Sequence, residues 1–110
     1  MVFIAVVLYC ISALPVRAQK VFSCNYKSDT DIKVFVAKYK SDADLVVYRA
    51  KYPSDAVGNT GIWFFTEYKS DARKKIYFTE YKSDADLVIW FTEYKSDAGW
   101  RDRTRMYWMF

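Results

Sequence analysis

Tyr81 to Asp97 reads YKSDADLVIWFTEYKSD, and the four residues that open the stretch also close it, 13 positions later. The same tetrapeptide begins at Tyr26, Tyr39, Tyr68, Tyr81 and Tyr94, and as YPSD at Tyr52. Successive copies are 13, 13, 16, 13 and 13 residues apart, and each of the first three lies 42 residues before its counterpart among the last three. A fixed period of this kind marks a repeat architecture, here a duplicated unit of three. The middle copy of each half continues as DADLVVY from Asp42 and DADLVIW from Asp84, which supports the pairing of halves. The three additional residues fall in AVGNTG, Ala56 to Gly61, whose glycines and asparagine mark the turn between halves.

Each copy carries a run such as KVFVAKY from Lys33 or KIYFTEY from Lys75, rich in the β-branched and aromatic residues that suit a pleated surface. These runs are read as strands, and alternation sorts their side chains onto two faces. One face carries Val34, Val36 and Lys38, with Ile76, Phe78 and Glu80 at the equivalent positions. The other carries Phe35, Ala37 and Tyr39, with Tyr77, Thr79 and Tyr81. Neither face is polar, and a strand apolar on both sides is normally covered on both. In the segment SDA after each strand, Ser and Asp side chains can accept backbone N–H bonds in a tight turn. YKSD is therefore read as a strand end clamped to its own turn, with the tyrosine ring buried. The expected fold is mostly β, a small single domain of six strand-turn units in two pseudo-twofold halves.

The segments KVFVAKYKSDADL and KIYFTEYKSDADL resemble the septoil-knot domain family, a family of unknown function, over about Lys20 to Arg101, including the ending Ala98 to Trp100. That resemblance implies a compact β-rich domain wound as a seven-crossing torus knot, with strands of the two halves interleaved, and it implies no activity. Two features depart from the pattern: Pro53 in place of lysine, and the tail RDRTRMYWMF.

At 110 residues with 53% hydrophobic and 20% aromatic content, one domain with an aromatic-rich core is expected. The apolar run Val2 to Leu14 is too short to span a bilayer but suits a secretory signal, and Val16-Arg17-Ala18 offers a small-residue cleavage site. Residues 1–18 are read as a signal peptide, 19–101 as the six-repeat knotted domain and 102–110 as a C-terminal tail. The chain is thus expected to be secreted or periplasmic, with no membrane partner once the signal is cleaved. Cleavage removes Cys10 and Arg17, so the net charge falls from +4 to +3 and Cys24 is left alone, without a partner for an internal disulfide.

Acidic and basic residues alternate within each copy instead of clustering, which argues against nucleic acid as a partner. Asp42 with Asp44, and Asp84 with Asp86, supply hard oxygen ligands suited to calcium, but no glycine-bearing calcium loop accompanies them. Zinc lacks ligands, since the chain has no histidine. The same absence removes the usual base of a hydrolytic triad. Glu67, Glu80 and Glu93 occupy one repeat position at strand ends, where a solvated charge is the ordinary outcome. Neither a catalytic site nor a metal or cofactor is expected, and Cys24 reads as a small packed residue. The candidate ligand site is the aromatic row Phe64, Tyr77 and Trp90, with Tyr68, Tyr81 and Tyr94, able to stack on a glycan or a protein partner if exposed. The functional expectation is a non-catalytic structural or adhesive domain, with a carbohydrate- or protein-binding module as the alternative. Lys38 with Glu80, and Lys51 with Glu93, are expected neighbours if the halves interleave.

Overall fold

The computed structural model describes residues 18–110; the signal-peptide reading of the leader therefore lies, apart from Ala18, outside the described residues. Six strands run parallel: β1 Lys20–Ser23, β2 Ile32–Val36, β3 Leu45–Arg49, β4 Ile62–Phe65, β5 Lys74–Phe78 and β6 Leu87–Thr92. They close into a barrel in the order β4-β1-β5-β2-β6-β3, with β3 paired back to β4. Every strand of one half is flanked on both edges by strands of the other, as the family resemblance implies. A short β7, Gly99–Trp100, pairs antiparallel with the start of β3. The strands end earlier than the sequence runs suggest: β2 stops at Val36 rather than Tyr39. There the small residue Ala37 turns out of the barrel and donates its N–H to the Ile89 carbonyl (2.7 Å).

The register makes the barrel steep. Around the circuit the pairing advances two residues along each of β5, β2 and β6 and three along each of β3 and β4, 12 in all for six strands. Two residues of rise for each strand spacing tilt the strands by roughly 55°. Repeat-equivalent residues consequently share a level inside the barrel. The middle level, Val21, Ile76, Val34, Ile89, Val47 and Trp63, is completely buried. Above it, at the C-terminal ends of the strands, Phe65, Phe78 and Phe91 pack with ring centroids 6.3–6.5 Å apart. Arg49, which shares their level, lies between two of them, its guanidinium 4.4 Å from the Phe65 centroid and 4.6 Å from that of Phe91.

Four of the five links between the strands of the barrel cross a strand of the other half. Between β1 and β2, Cys24 donates to the Ile76 carbonyl on one edge of β5, and Asp31 donates to the Lys75 carbonyl on the other (2.7 and 2.8 Å). Ala37 and Asp44 straddle β6, Thr66 and Arg73 straddle β1, and Thr79 and Asp86 straddle β2 in the same way. The core occupies the inside, so the crossovers lie over the outer faces. That is why Phe35 and Tyr77, which point outward, are half-buried. Four of the five links move two places round the ring and one, β3 to β4, moves a single place. Nine places on a ring of six wind the chain one and a half times about the axis.

The tail completes the other end of the barrel. Arg103–Met109 forms a 3₁₀ helix whose Met109 is fully buried in the core cluster, and the buried Gln19 side chain donates from Nε2 to the Met109 carbonyl (2.9 Å). Asn59 donates to the Met106 carbonyl (3.0 Å), so the turn between halves holds the tail in place. In that turn Gly61 has φ +83°, and a Cβ there would stand 2.5 Å from the Val46 carbonyl oxygen.

Two outcomes are expected. Gly61→Ala should cost about 2–3 kcal/mol or more in denaturant unfolding, from backbone strain and steric conflict together; an unchanged midpoint would show that the link is free to move aside. Pairing that runs only between the two halves must form non-locally before it is rewarded, so refolding should take seconds or longer. Millisecond refolding with a simple chevron would contradict that.

Candidate functional site

The repeated tetrapeptide builds the most distinctive surface of the molecule. In each copy the tyrosine is extended and the next three residues form one 3₁₀ turn: Lys27–Asp29, Lys40–Asp42, Pro53–Asp55, Lys69–Asp71, Lys82–Asp84 and Lys95–Asp97. The turn is closed by the backbone, the aspartate N–H donating to the tyrosine carbonyl at 3.0–3.2 Å. The Ser and Asp side chains of these turns accept no backbone N–H among the described residues, contrary to the sequence expectation; in the second half it is Thr66, Thr79 and Thr92 whose hydroxyls accept the tyrosine N–H (3.1–3.3 Å). The expectation that the tyrosine ring is buried also fails. Tyr26, Tyr39, Tyr52, Tyr68, Tyr81 and Tyr94 are 60–70% exposed, because the chain has already left the barrel at the preceding small residue. Five of those six small residues are buried: Cys24, Ala37, Thr66, Thr79 and Thr92 are each less than a tenth exposed, and Ala50 is half-buried. Burial raises the Cys24 thiol above its ordinary pKa.

Ion pairs tie the turns together around the barrel. Lys27 meets Asp84, Lys40 meets Asp97 at 2.6 Å and Lys95 meets Asp55 at 3.7 Å. In each case the lysine of one turn reaches the aspartate of the next turn in ring order. The turn with Pro53 has no lysine to offer Asp71, and Lys20 takes that aspartate instead at 3.1 Å; Lys69 and Lys82 form no ion pair among the described residues. Lys38 with Glu80, and Lys51 with Glu93, do not form ion pairs among the described residues. The register explains this: Val34 stands opposite Phe78, not its repeat equivalent Ile76, so equivalent positions are two residues out of step. Exposed side chains offset in this way gain too little to pair.

Three of the four aspartates considered for calcium have other partners, while Asp42 is exposed. Asp44 accepts the Val88 N–H (3.0 Å) and Asp86 accepts the Lys33 N–H (2.9 Å), while Asp84 is held by Lys27 and Lys33. Asp31 accepts the Lys75 N–H in the same way (2.9 Å). Each of Asp31, Asp44 and Asp86 also donates its own N–H to the same strand, fixing the crossover at its landing point. Sequence reasoning missed this role, although an aspartate at the same position before β2, β3 and β6 was its signal. Among the described residues no group of three or more His, Cys, Asp or Glu side chains converges as a metal site would require. Glu67, Glu80 and Glu93 are exposed after the strands of the second half.

Phe64, Tyr77 and Trp90 do not form a continuous exposed row. They are half-buried on the outer face, on three strands separated from one another by β1 and β2, whose Phe22 and Phe35 occupy the intervening places. Lys40 Nζ lies 6.0 Å from the Trp90 ring. Tyr77 lines an open groove of about 310 Å³ with Tyr81, Thr79, Glu80, Asp84 and Lys27, bringing one half-buried and one exposed tyrosine beside an ion pair. Arg49 over the phenylalanine trio and the Met109 plug were also not foreseen, since neither follows the repeat.

Hydrogen bonding from Lys27 holds Asp84 below the usual carboxylate pKa, and hydrogen bonding from Lys40 does the same for Asp97. A carboxylate lowered in the folded state contributes stability that is complete above its unfolded pKa, about 3.9, and is lost as pH falls through the folded value. The melting temperature should therefore decline on acidification below that ordinary value. In Lys27→Met/Lys40→Met the decline should be shallower, as thermal melts across that range would establish; parallel profiles would count against the pairs.

No curated protein and no solved structure matched the chain in comparison. A family model, the 7(1) septoil knot domain, matches residues 18–101, from the first bridged residue of the barrel through β7. With its interleaved halves, its crossovers over every intervening strand and this match over most of its length, the chain belongs to the septoil knot domain family.

Proposed function

We propose that this chain is a secreted, non-catalytic adhesive or structural module whose contact surface is the set of tyrosines displayed by the repeat. The observation that carries this reading is the exposure of all six, at 60–70%. Tyrosine offers a large amphipathic ring with few rotatable bonds, so it can contribute contact area at low entropic cost. Repetition multiplies such contacts over one rigid body, which favours avidity over a single tight pocket. Export is supported by the apolar leader and its small-residue cleavage site at Ala18. Among the described residues no helix is long and apolar enough to cross a membrane.

A carbohydrate- or protein-binding activity is the second reading, favoured by the groove at Tyr77 and Tyr81. Paired rings beside charged and hydroxyl groups suit the alternating apolar and polar faces of a sugar. Trp90 and Phe64, half-buried on strands two places away on either side of Tyr77, lie outside this groove.

The triple substitution Tyr68→Ala/Tyr81→Ala/Tyr94→Ala is expected to leave the melting temperature nearly unchanged, since exposed rings contribute little to folding. It should reduce retention on glycan-coated and protein-coated surfaces by tenfold or more, on the order of 0.5 kcal/mol for each ring lost. Undiminished retention would remove the tyrosines from the contact surface. A glycan-array signal abolished by Tyr77→Ala/Tyr81→Ala, but not by the triple change with Tyr81 restored, would favour the groove.

A further inference from the structure

The tail has a second face that folding does not use. Met106 and Met109 turn toward the barrel, while Thr104, Tyr107 and Phe110, three residues apart on the 3₁₀ helix, turn away from it. Tyr107 is 59% exposed and Phe110 64% exposed. A chain that plugs a barrel needs one apolar side; this one carries aromatic rings on the outer side as well. Arg101, Arg103 and Arg105 are also exposed, and among the described residues none forms an ion pair with an acidic side chain. Asp102, the acidic residue among them, is occupied by the N–H and hydroxyl of Thr104 (3.1 and 2.5 Å), which hold its carboxyl below the usual pKa. Arg73 adds a further exposed cation, lining with Phe110 and Ala18 an open groove of about 520 Å³.

In the repeat, by contrast, Lys27, Lys40 and Lys95 are matched with aspartates of neighbouring turns. Unmatched arginines beside exposed aromatic rings are the composition of a segment that lies at a bilayer interface, the rings entering the headgroup region and the cations meeting anionic lipid.

We propose that the tail end of the barrel docks on an anionic lipid bilayer, through Tyr107 and Phe110 and the arginines Arg101, Arg103 and Arg105. The contact is peripheral and spans nothing. It departs from the sequence expectation that the chain has no membrane partner after signal cleavage, an expectation that assigned the tail no role. It also leaves the six repeat tyrosines free for another contact.

Cosedimentation with lipid vesicles tests the proposal on residues 18–110, within which the barrel, its crossovers and its plug are complete. At low salt the protein should pellet with phosphatidylcholine vesicles containing phosphatidylserine and not with phosphatidylcholine alone, and added salt should release it. Arg103→Gln/Arg105→Gln should weaken binding by about fivefold per arginine. Tyr107→Ser/Phe110→Ser should also weaken it while retaining Met109, and thermal melts should show both variants folded. Tyr81→Ala/Tyr94→Ala should bind the vesicles like the parent. Absence of binding to the anionic vesicles, equal binding to both vesicle types, or undiminished binding by both folded tail variants would overturn the proposal.

Discussion

Backbone pairing between the two halves is the constraint on which the structure depends. Six parallel strands alternate strictly between halves, so the N–H and C=O groups on both edges of each strand find their partners in the other half. A half alone would present three strands with no neighbour in the barrel order, and unpaired backbone groups are costly wherever water is excluded. Duplication is therefore more than a history of the chain; it is the condition for closing the sheet. Parallel pairing also fixes the winding, because the chain must return across a strand before it can run again in the same direction.

The return is unusually short. A parallel crossover commonly uses a dozen or more residues and a helix, whereas here the chain leaves β1 at Ser23 and enters β2 at Ile32. Steep stagger makes this feasible, since the end of β1 and the start of β2 are both register partners of Ile76 on β5. One 3₁₀ turn, a buried small residue at departure and an aspartate at three of the landings are sufficient to guide it. The same short path brings the turns close enough for lysine of one to meet aspartate of the next. It also throws the tyrosines outward, producing the surface on which the functional proposal rests.

The barrel's two ends are finished by different means, and neither follows the repeat. At the C-terminal ends of the strands the second half supplies three phenylalanines where the first has Ser23, Val36 and Arg49. The large rings fill the space left by the smaller residues, and the guanidinium rests on them. At the other end the level contains Gln19 and Gly61, too polar or too small to close the core, and Met109 from the tail occupies the gap. The segment that the family match leaves out is thus part of this chain's own core.

The sequence by itself determined the period, the duplication, the turn at Ala56 to Gly61, the β class and the family. Those properties are written in spacing and in local preference: β-branched and aromatic runs, Ser and Asp after each run, glycines where φ must be positive. It also identified the buried role of Cys24, because the equivalent residues are uniformly small. Only tertiary structure decided which face of each strand points inward, since both faces are apolar and alternation cannot choose between them. It likewise decided the exposure of the tyrosines, the half-burial of Phe64, Tyr77 and Trp90, and the ionic partners. Each of these depends on the two-residue stagger between neighbouring strands. That stagger is a property of barrel closure, which no single strand encodes.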